Sequence, residues 1–398
     1  MEKILIICTK YPLELNNTWL TRELAEELAS RKKEVHVLCM DWNGKNKPLT
    51  VKINNINVSY FPALKYSKSG FFNFIVKWMF SSVIASIKYC KIITRNYDLV
   101  ICFSPCASTW FPILLGKVFS KKNLLIYWDF FPIHQVKINL IKGKFKEKIL
   151  YTFERSLVRL FDYVGCMSEM NCEFYKNYFG SKASNVVFEL PIWSEQIDKN
   201  VVLNNKKNVS NLIDDNSIYF VFGGQIDYGR GVECILEAAA IAHGKNSKIK
   251  TIIIGKGRLV GLVKKTSEDA GSGIIYSDYI PRDEYMNLLS FCRAGIVATV
   301  PNVPVPTYPS KSLDYMKLSL PVIASVEEST DFGDIIVDAQ AGLKCTAGDA
   351  ESLSNAIIKL AEDAGTAIEM GKKANALFAK KHEIKKVVDE FMLFIKED

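Results

Sequence analysis

The chain has 398 residues, more than one hydrophobic core usually serves, so we expect two domains. Hydrophobic residues make up 48% of the sequence, and 51 Lys and Arg against 43 Asp and Glu give a formal charge of +8. This composition excludes a disordered or fibrous protein, and the basic balance suits anionic partners such as phosphates or lipid headgroups.

Cysteine and histidine usage argues against a zinc site and against a disulfide framework. The ten cysteines are scattered, mostly inside apolar runs, with no CxxC pair, and only four histidines are present. The first eight residues are too short and too acidic for a signal peptide, and no run of 18 uncharged apolar residues exists. We therefore predict a reduced, cytosolic protein without a transmembrane helix.

Strands and helices alternate along the first half, which is typical of a parallel sheet built from βαβ units. The predicted strands are residues 4–8, 34–39, 57–61, 99–104, 124–128 and 163–167. The predicted helices are residues 19–31, 71–95, 107–119 and 146–161.

A polar segment rich in Asn and Lys, about 194–217, predicts an interdomain linker. The alternation then repeats, and three helices are predicted at 350–364, 366–379 and about 383–396. We expect an N-terminal domain over 1–195, a linker over 196–217, a second domain over 218–380 and a C-terminal helix over 381–398. That helix is a candidate for packing back on the first domain. The predicted fold is α/β, with two Rossmann-like parallel-sheet domains facing a cleft.

Three strand ends in the second half run into small-residue turns and then into helices. The first turn begins at Gly223 and Gly224 and reaches Arg230; the second holds Gly255 and Gly257; the third holds Ser310 and Lys311. Ligands of such sheets bind at the carboxyl ends of the strands, where helix N-termini favour phosphate. These seven residues are therefore candidates for binding a diphosphate, whereas Lys256 is interpreted as a solvated turn residue.

The pattern from Ile218 to about Ile358 resembles the family 4 retaining glycosyltransferases of the GT-B fold. Within them it is most similar to the capsule and O-antigen enzymes related to N-acetylfucosamine transferases. The resemblance implies that Gln225 and Arg230 reach the donor diphosphate and that Asp314 holds the ribose. Many members carry Glu at the position of Pro306. The resemblance then implies that Thr307, Tyr308, Ser310 or Lys311 supplies the donor-sugar contact, or that the donor sugar is held differently.

The resemblance extends more loosely through the first half. The segment ending in Trp128 and Asp129 is similar to a strand end where many members carry His-Asp, so Asp129 is a candidate catalytic residue and His134 a candidate acceptor contact. Asn17 and Thr18 occupy the family's Gly-rich loop. They are interpreted mainly as a cap on the next helix, with acceptor contact as the alternative.

The implied reaction is transfer of a sugar, a UDP-HexNAc type being favoured, to a polyprenyl-diphosphate-linked glycan in surface polysaccharide biosynthesis. The leaving diphosphate is implied to help deprotonate the acceptor. Asp129, Arg230 and Lys311 are the predicted catalytic residues. Because fixed positive charge takes the place of Mg²⁺, we expect no metal and no cofactor.

Two basic, aromatic-rich segments predict peripheral docking on the anionic inner face of the plasma membrane. In a helix over 71–95, one basic line is expected opposite an apolar face: Asn73, Lys77, Ser81, Lys88, Lys91 and Arg95. A second cluster follows: Lys137, Lys142, Lys144, Lys146 and Lys148. The alternative is that the apolar face packs on the sheet and the Lys face is merely solvated.

Two other functions compete with the transferase. A nucleotide-sugar epimerase of the same fold needs an acid/base set, and His and Glu are scarce near the predicted strand ends. A catalytically degenerate membrane scaffold is suggested by Gln225, Pro306 and Trp128, but Arg230 and Asp314 weigh against it. Nucleic-acid binding is not expected, because the basic residues are not grouped around aromatic platforms.

Overall fold

The computed structural model describes residues 1–14, 19–41, 47–64, 75–180, 185–197, 205, 209 and 211–397. The chain divides into two compact units. Unit 1 comprises Met1–Ser194 and Ile384–Asp398, and unit 2 comprises Glu195–Glu383.

Unit 1 is built on an eight-stranded sheet of order β3-β4-β2-β1-β5-β6-β7-β8, parallel except for the antiparallel pair β3 and β4. Its strands are β1 (Lys3–Cys8), β2 (Glu34–Asp41), β3 (Leu49–Ile53), β4 (Ile56–Pro62), β5 (Tyr97–Phe103), β6 (Ser120–Tyr127), β7 (Tyr163–Cys166) and β8 (Val186–Glu189). Its helices before Ser194 are α1 (Leu20–Ser30), α2 (Ser81–Lys88), α3 (Cys90–Ile93), α4 (Trp110–Val118), α5 (Ile133–Lys137), α6 (Lys144–Val158) and α7 (Glu169–Phe179).

The central strands of unit 1 are apolar because both of their faces are covered. The run Ile4–Ile7 in β1 is completely buried, as expected for a parallel strand between helical layers. The six strands predicted in this half are present. β3 and β8, and the helices α5 and α7, were missed, since each is short or weakly periodic.

The single helix expected over 71–95 is wrong in its described part. Ile75–Phe80 is a π-helical turn, and the helix that follows is interrupted at Tyr89 between α2 and α3. The Tyr89 side chain is buried, and its hydroxyl donates to the carbonyl oxygens of Tyr60, at 2.8 Å, and Leu49, at 3.2 Å. Attachment to the sheet thus outweighs continuous helix geometry.

The last helix, α15 (Ile384–Glu397), packs on unit 1. Val387, Val388, Phe391 and Ile395 are buried in the same core cluster as β1 and α1. Arg31 donates to the Lys385 carbonyl at 2.7 Å. Spacings of three and four residues place these apolar side chains on one face of the helix.

Unit 2 is built on a six-stranded, fully parallel sheet of order β11-β10-β9-β12-β13-β14. Its strands are β9 (Ile218–Gly223), β10 (Ile249–Ile254), β11 (Ile274–Ser277), β12 (Cys292–Ala298), β13 (Val322–Val326) and β14 (Gly342–Thr346). Its helices are α8 (Val232–Lys245), α9 (Val260–Ser267), α10 (Arg282–Leu289), α11 (Ser312–Lys317), α12 (Phe332–Asp338), α13 (Ala350–Glu362) and α14 (Ala364–Leu377).

Local sequence explains where several of these helices begin. The side chain of Asp349 accepts a hydrogen bond from the amide of Ser352 at the start of α13, and Asp363 accepts from Thr366 at the start of α14, both at 2.9 Å. In unit 1, Ser168 caps α7 in the same way. Such caps satisfy amides that lack a partner in the first helical turn.

Across the described residues, every helix is too short or too polar to span a bilayer.

Three glycines allow main-chain segments to touch at one edge of the second sheet. A Cβ on Gly255 would lie 1.8 Å from the Gly224 carbonyl oxygen, and one on Gly257 would lie 2.0 Å from the Ile226 carbonyl oxygen. A Cβ on Gly231 would lie 2.8 Å from the Thr299 carbonyl oxygen. All three have positive φ, which side chains disfavour. Only glycine therefore fits at these contacts.

We predict that Gly255→Ala lowers the free energy of unfolding of unit 2 by more than about 2 kcal/mol, because the clash is with backbone and the φ of +146° is strained. The matched control is Gly244→Ala in α8, where a Cβ meets nothing within 4 Å. It should stabilise by about 0.5–1 kcal/mol. Denaturant unfolding checks both, and equal effects of the two substitutions would contradict the argument.

Candidate functional site

The carboxyl ends of β9, β10, β12 and β13 bring four turns together on one edge of the second sheet. Gly223 pairs in register with Ile254, so the turns at 224–231 and 255–257 are neighbours. The amide of Thr299, just after β12, donates to the carbonyl oxygen of Ser325 in β13 at 3.0 Å. This edge holds most of the residues that the sequence assigned to a phosphate ligand.

Lys311 places a buried cation at this edge. Its ammonium nitrogen lies 3.5 Å from the ring centroid of Phe222 and 3.6 Å from where a Cβ on Gly224 would stand. Within the described part of the chain the nitrogen is buried and has no hydrogen-bond partner. Burial, followed by the charge of Arg230, holds the pKa of Lys311 well below its usual range. A buried donor without an acceptor is costly, so the site suits an anion.

Arg230 is the second cation of the edge. It is half-buried and immediately precedes Gly231, where α8 begins. Gly231, the next residue, packs against the backbone of Thr299. The charge of Arg230 contributes to the lowered pKa of Lys311 and opposes the rise in the pKa of Glu327. The first-turn amides of α8 add the positive end of a 14-residue helix.

Asp314 lies on α11 and is engaged by two cations. Arg282 donates to both carboxylate oxygens, at 2.6 and 2.5 Å, and the Lys317 ammonium is 3.3 Å from Oδ1. Burial raises the pKa of Asp314, but the hydrogen bond from Arg282 and the charge of Lys317 outweigh it, and the pKa falls below its usual value. Ribose binding by Asp314 stays a prediction, and it requires Arg282 to share the carboxylate.

The other predicted donor-side residues differ in exposure. Gln225 and Ser310 are exposed at the edge, and the amide of Gly223 is already bonded to the Tyr315 hydroxyl at 3.1 Å. Gly223 thus anchors the strand end, and its amide is directed at Tyr315. Lys256 is exposed, 3.7 Å from Asp278, in agreement with its interpretation as a solvated turn residue.

Glu327 was not predicted, although it follows directly after β13. It is 5% exposed and accepts from Thr299 and from Thr307, the second at 3.1 Å. Burial raises the pKa of Glu327, and the two threonines and Arg230 oppose that effect. The sequence feature that could have identified Glu327 is a polar residue directly after an apolar strand. Arg282, Lys317 and Tyr315 had no comparable signal, because their roles depend on tertiary contacts.

In unit 1, Asp129 stands exposed just past the carboxyl end of β6. Its amide and that of Trp128 both donate to the Ser104 hydroxyl at 2.9 Å, which ties the ends of β5 and β6 together. His134 lies half-buried in α5, one turn further on. Asn17 and Thr18 lie outside the described residues. The catalytic role of Asp129 and the acceptor role of His134 stay predictions.

A buried carboxylate supports this end of unit 1. Glu154 on α6 is fully buried and accepts from the amides of Cys106 and Ala107, at 2.7 and 2.9 Å. Burial raises the pKa of Glu154 to about 7, against the opposing effect of the two amides. The turn after β5 is thereby fixed to α6, the helix that carries the basic segment.

Among the described residues, no group of three or more His, Cys, Asp and Glu side chains is arranged to hold a metal ion. The groups at this edge that suit an anion are Lys311, Arg230 and the first-turn amides of α8.

Comparison with known proteins agrees with this geometry. Residues 204–377 match the family model described as glycosyl transferases group 1. The chain is a glycosyltransferase. No curated protein matches it.

The transferase also matches solved structures over its whole length. Sucrose-phosphate synthase from Thermosynechococcus elongatus is 14% identical, with a TM-score of 0.74 over 100% of this chain and 99% of that one. Trehalose-6-phosphate synthase OtsA is 11% identical, with a TM-score of 0.78 over 100% and 99%. HepE of Anabaena, in complex with UDP-glucose, is 13% identical, with a TM-score of 0.69 over 100% of both chains. At these identities the likeness establishes the fold, which is GT-B with two Rossmann-like sheets.

We predict that Lys311→Met leaves the transferase as stable as wild type, or more stable by on the order of 1 kcal/mol, because it removes an unpaired buried charge. The same substitution should weaken binding of inorganic pyrophosphate at least tenfold, since a charge-assisted donor is lost. Thermal unfolding with and without pyrophosphate measures both effects. The exposed Lys256→Met is the matched control and should change neither. Retained pyrophosphate stabilisation in Lys311→Met would contradict the assignment.

Proposed function

We propose that this glycosyltransferase transfers a sugar from a nucleotide-sugar donor, UDP-HexNAc being favoured, to a polyprenyl-diphosphate-linked glycan in bacterial surface polysaccharide biosynthesis. The observation that carries the donor part is the buried, unpartnered ammonium of Lys311 beside Arg230 and the glycine turns, within the described residues. The complex of the similarly folded HepE with UDP-glucose supports a nucleotide-sugar ligand.

The chemistry proposed for this site is stabilisation of the leaving nucleoside diphosphate. Negative charge grows on the diphosphate as the glycosidic bond breaks, and Arg230 and Lys311 are proposed to stabilise that charge. We propose that the anomeric configuration is retained and that no metal is required. Asp129 and His134 of unit 1 are proposed to serve the acceptor.

The donor proposal is tested by thermal shift against UDP-, GDP- and dTDP-sugars. A ligand at 100 times its Kd should add roughly 2.7 kcal/mol to the free energy of unfolding. We expect a shift with UDP-sugars, followed by transfer to a lipid-linked acceptor in a radiolabel assay that is insensitive to EDTA. Well-folded protein that responds to no nucleotide sugar would favour the scaffold function instead.

Surface composition of unit 1 supports the membrane part of the proposal. In α2 the small residues Ser82, Ala85 and Ser86 face inward, whereas Ile84 and Ile87 face outward, and Ile87 is 70% exposed. The two isoleucines thus share the exposed face with Lys88, whereas the sequence placed the large apolar side chains opposite the basic line. Ser81, predicted on that line, is instead buried, and its hydroxyl accepts from the amide of Leu64 at 2.8 Å. Outward isoleucines next to the exposed Lys88 and Lys91 are what an interfacial helix needs.

The second basic segment lies on the same side of unit 1. Trp78 packs on Phe131, and both belong to a small cluster with Leu150 and Phe153 of α6. On the exposed side of α6, Phe145 is 76% exposed among its lysines. Apolar side chains framed by positive charge favour an anionic bilayer as the ligand.

We predict that the double substitution Lys88→Glu and Lys91→Glu weakens binding to phosphatidylglycerol vesicles about tenfold or more, because each basic residue near the surface contributes about 1 kcal/mol. Vesicle co-sedimentation is the measurement. Lys264→Glu with Lys265→Glu on α9 makes the same charge change on unit 2 and should have little effect. Equal losses for both pairs, or none for the first, would overturn docking through α2.

A further inference from the structure

Glu327 is a carboxylate whose position is fixed by its neighbours. It follows β13, and its amide donates to the Thr299 hydroxyl at 3.2 Å. The Thr299 hydroxyl donates in turn to Oε2, and Thr307 donates to Oε1 at 3.1 Å. Two residues of the loop between β12 and α11 thus hold one nearly buried side chain.

The two threonines leave acceptor capacity on Glu327. An ionised carboxylate has about four acceptor positions, and each oxygen here receives one protein hydroxyl. The remaining positions accept from hydroxyl or amide donors and repel anions. The diphosphate itself is therefore not the group that Glu327 recognises.

Glu327 lies next to the cations that would hold that diphosphate. Thr299, which donates to Glu327, packs against Gly231, the residue that follows Arg230, and Thr307 lies four residues before Lys311. The charge of Arg230 also opposes the rise in the pKa of Glu327 that burial causes. In a nucleotide sugar the hexose is bonded directly to the distal phosphate, so its hydroxyls lie within a few ångströms of the phosphate oxygens. A fixed acceptor beside the phosphate-binding cations is placed to meet those hydroxyls.

We propose that Glu327 accepts hydrogen bonds from the hydroxyls of the donor sugar and that it selects a neutral sugar over a uronic acid. This assignment rests on the proposed function, because it requires a nucleotide-sugar donor at this edge. Thr299 and Thr307 are positioning residues, since they orient the carboxylate.

The experiment compares dissociation constants for UDP, UDP-N-acetylglucosamine and UDP-glucuronate in wild type and in Glu327→Gln, by calorimetry. In Glu327→Gln, affinity for UDP should stay within about twofold, and affinity for UDP-N-acetylglucosamine should fall about tenfold, the factor typical of one charge-assisted hydrogen bond. Wild type should discriminate against UDP-glucuronate, and Glu327→Gln should lose most of that discrimination. Thr307→Val should give a smaller loss of affinity for UDP-N-acetylglucosamine. It replaces Glu327→Gln in the experiment if that variant does not fold.

The outcomes separate this inference from the proposed function. Wild-type protein that binds none of the three ligands, nor the GDP- and dTDP-sugars, overturns the proposed function. Wild-type binding of UDP-sugars, with equal losses for UDP and UDP-N-acetylglucosamine in Glu327→Gln, overturns only the role of Glu327. An unchanged ratio of the affinities for UDP and UDP-N-acetylglucosamine in both Glu327→Gln and Thr307→Val would also overturn the role of Glu327.

Discussion

The edge of the unit 2 sheet at which the donor site is proposed depends on main-chain segments that approach to contact distance. Gly255 and Gly257 bring the turn after β10 against the turn after β9, and Gly231 brings the start of α8 against Thr299. With side chains at these positions the turns would move apart by ångströms, and Arg230 and Lys311 would no longer share one region. The glycines themselves contribute little burial, but they set the spacing on which the charges depend.

The charges at this edge suit an anionic ligand better than they suit the packing of the fold. Lys311 lies over Phe222 without an acceptor among the described residues. Asp314, by contrast, is fully engaged with Arg282 and Lys317, as a structural ion pair would be. Among the described residues, a buried cation without an acceptor on the same segment as a carboxylate with two cations is better explained by an anionic substrate than by packing.

Much of the fold was predictable from sequence because apolar runs such as 4–7 and 251–254 are unambiguous in a parallel sheet. The site was predictable only in part. The glycines at the strand ends and the cations Arg230 and Lys311 can be recognised from the sequence alone. The pairing of Asp314 with Arg282 joins residues 32 apart, and Glu327 meets Thr299 across two strands. The prediction of a single helix over 71–95 failed because Tyr89 is bound to the sheet, a contact that the periodicity of apolar residues does not reveal.

The proposed binding of a diphosphate at Lys311 would be linked to protonation. Burial and the charge of Arg230 lower the pKa of the Lys311 ammonium. A bound diphosphate would add a negative charge beside it and raise that pKa again. Between the two pKa values the complex would hold more protons than the free protein, so donor affinity would fall as the pH rises through this range. In calorimetry, the apparent binding enthalpy would consequently depend on the ionisation enthalpy of the buffer.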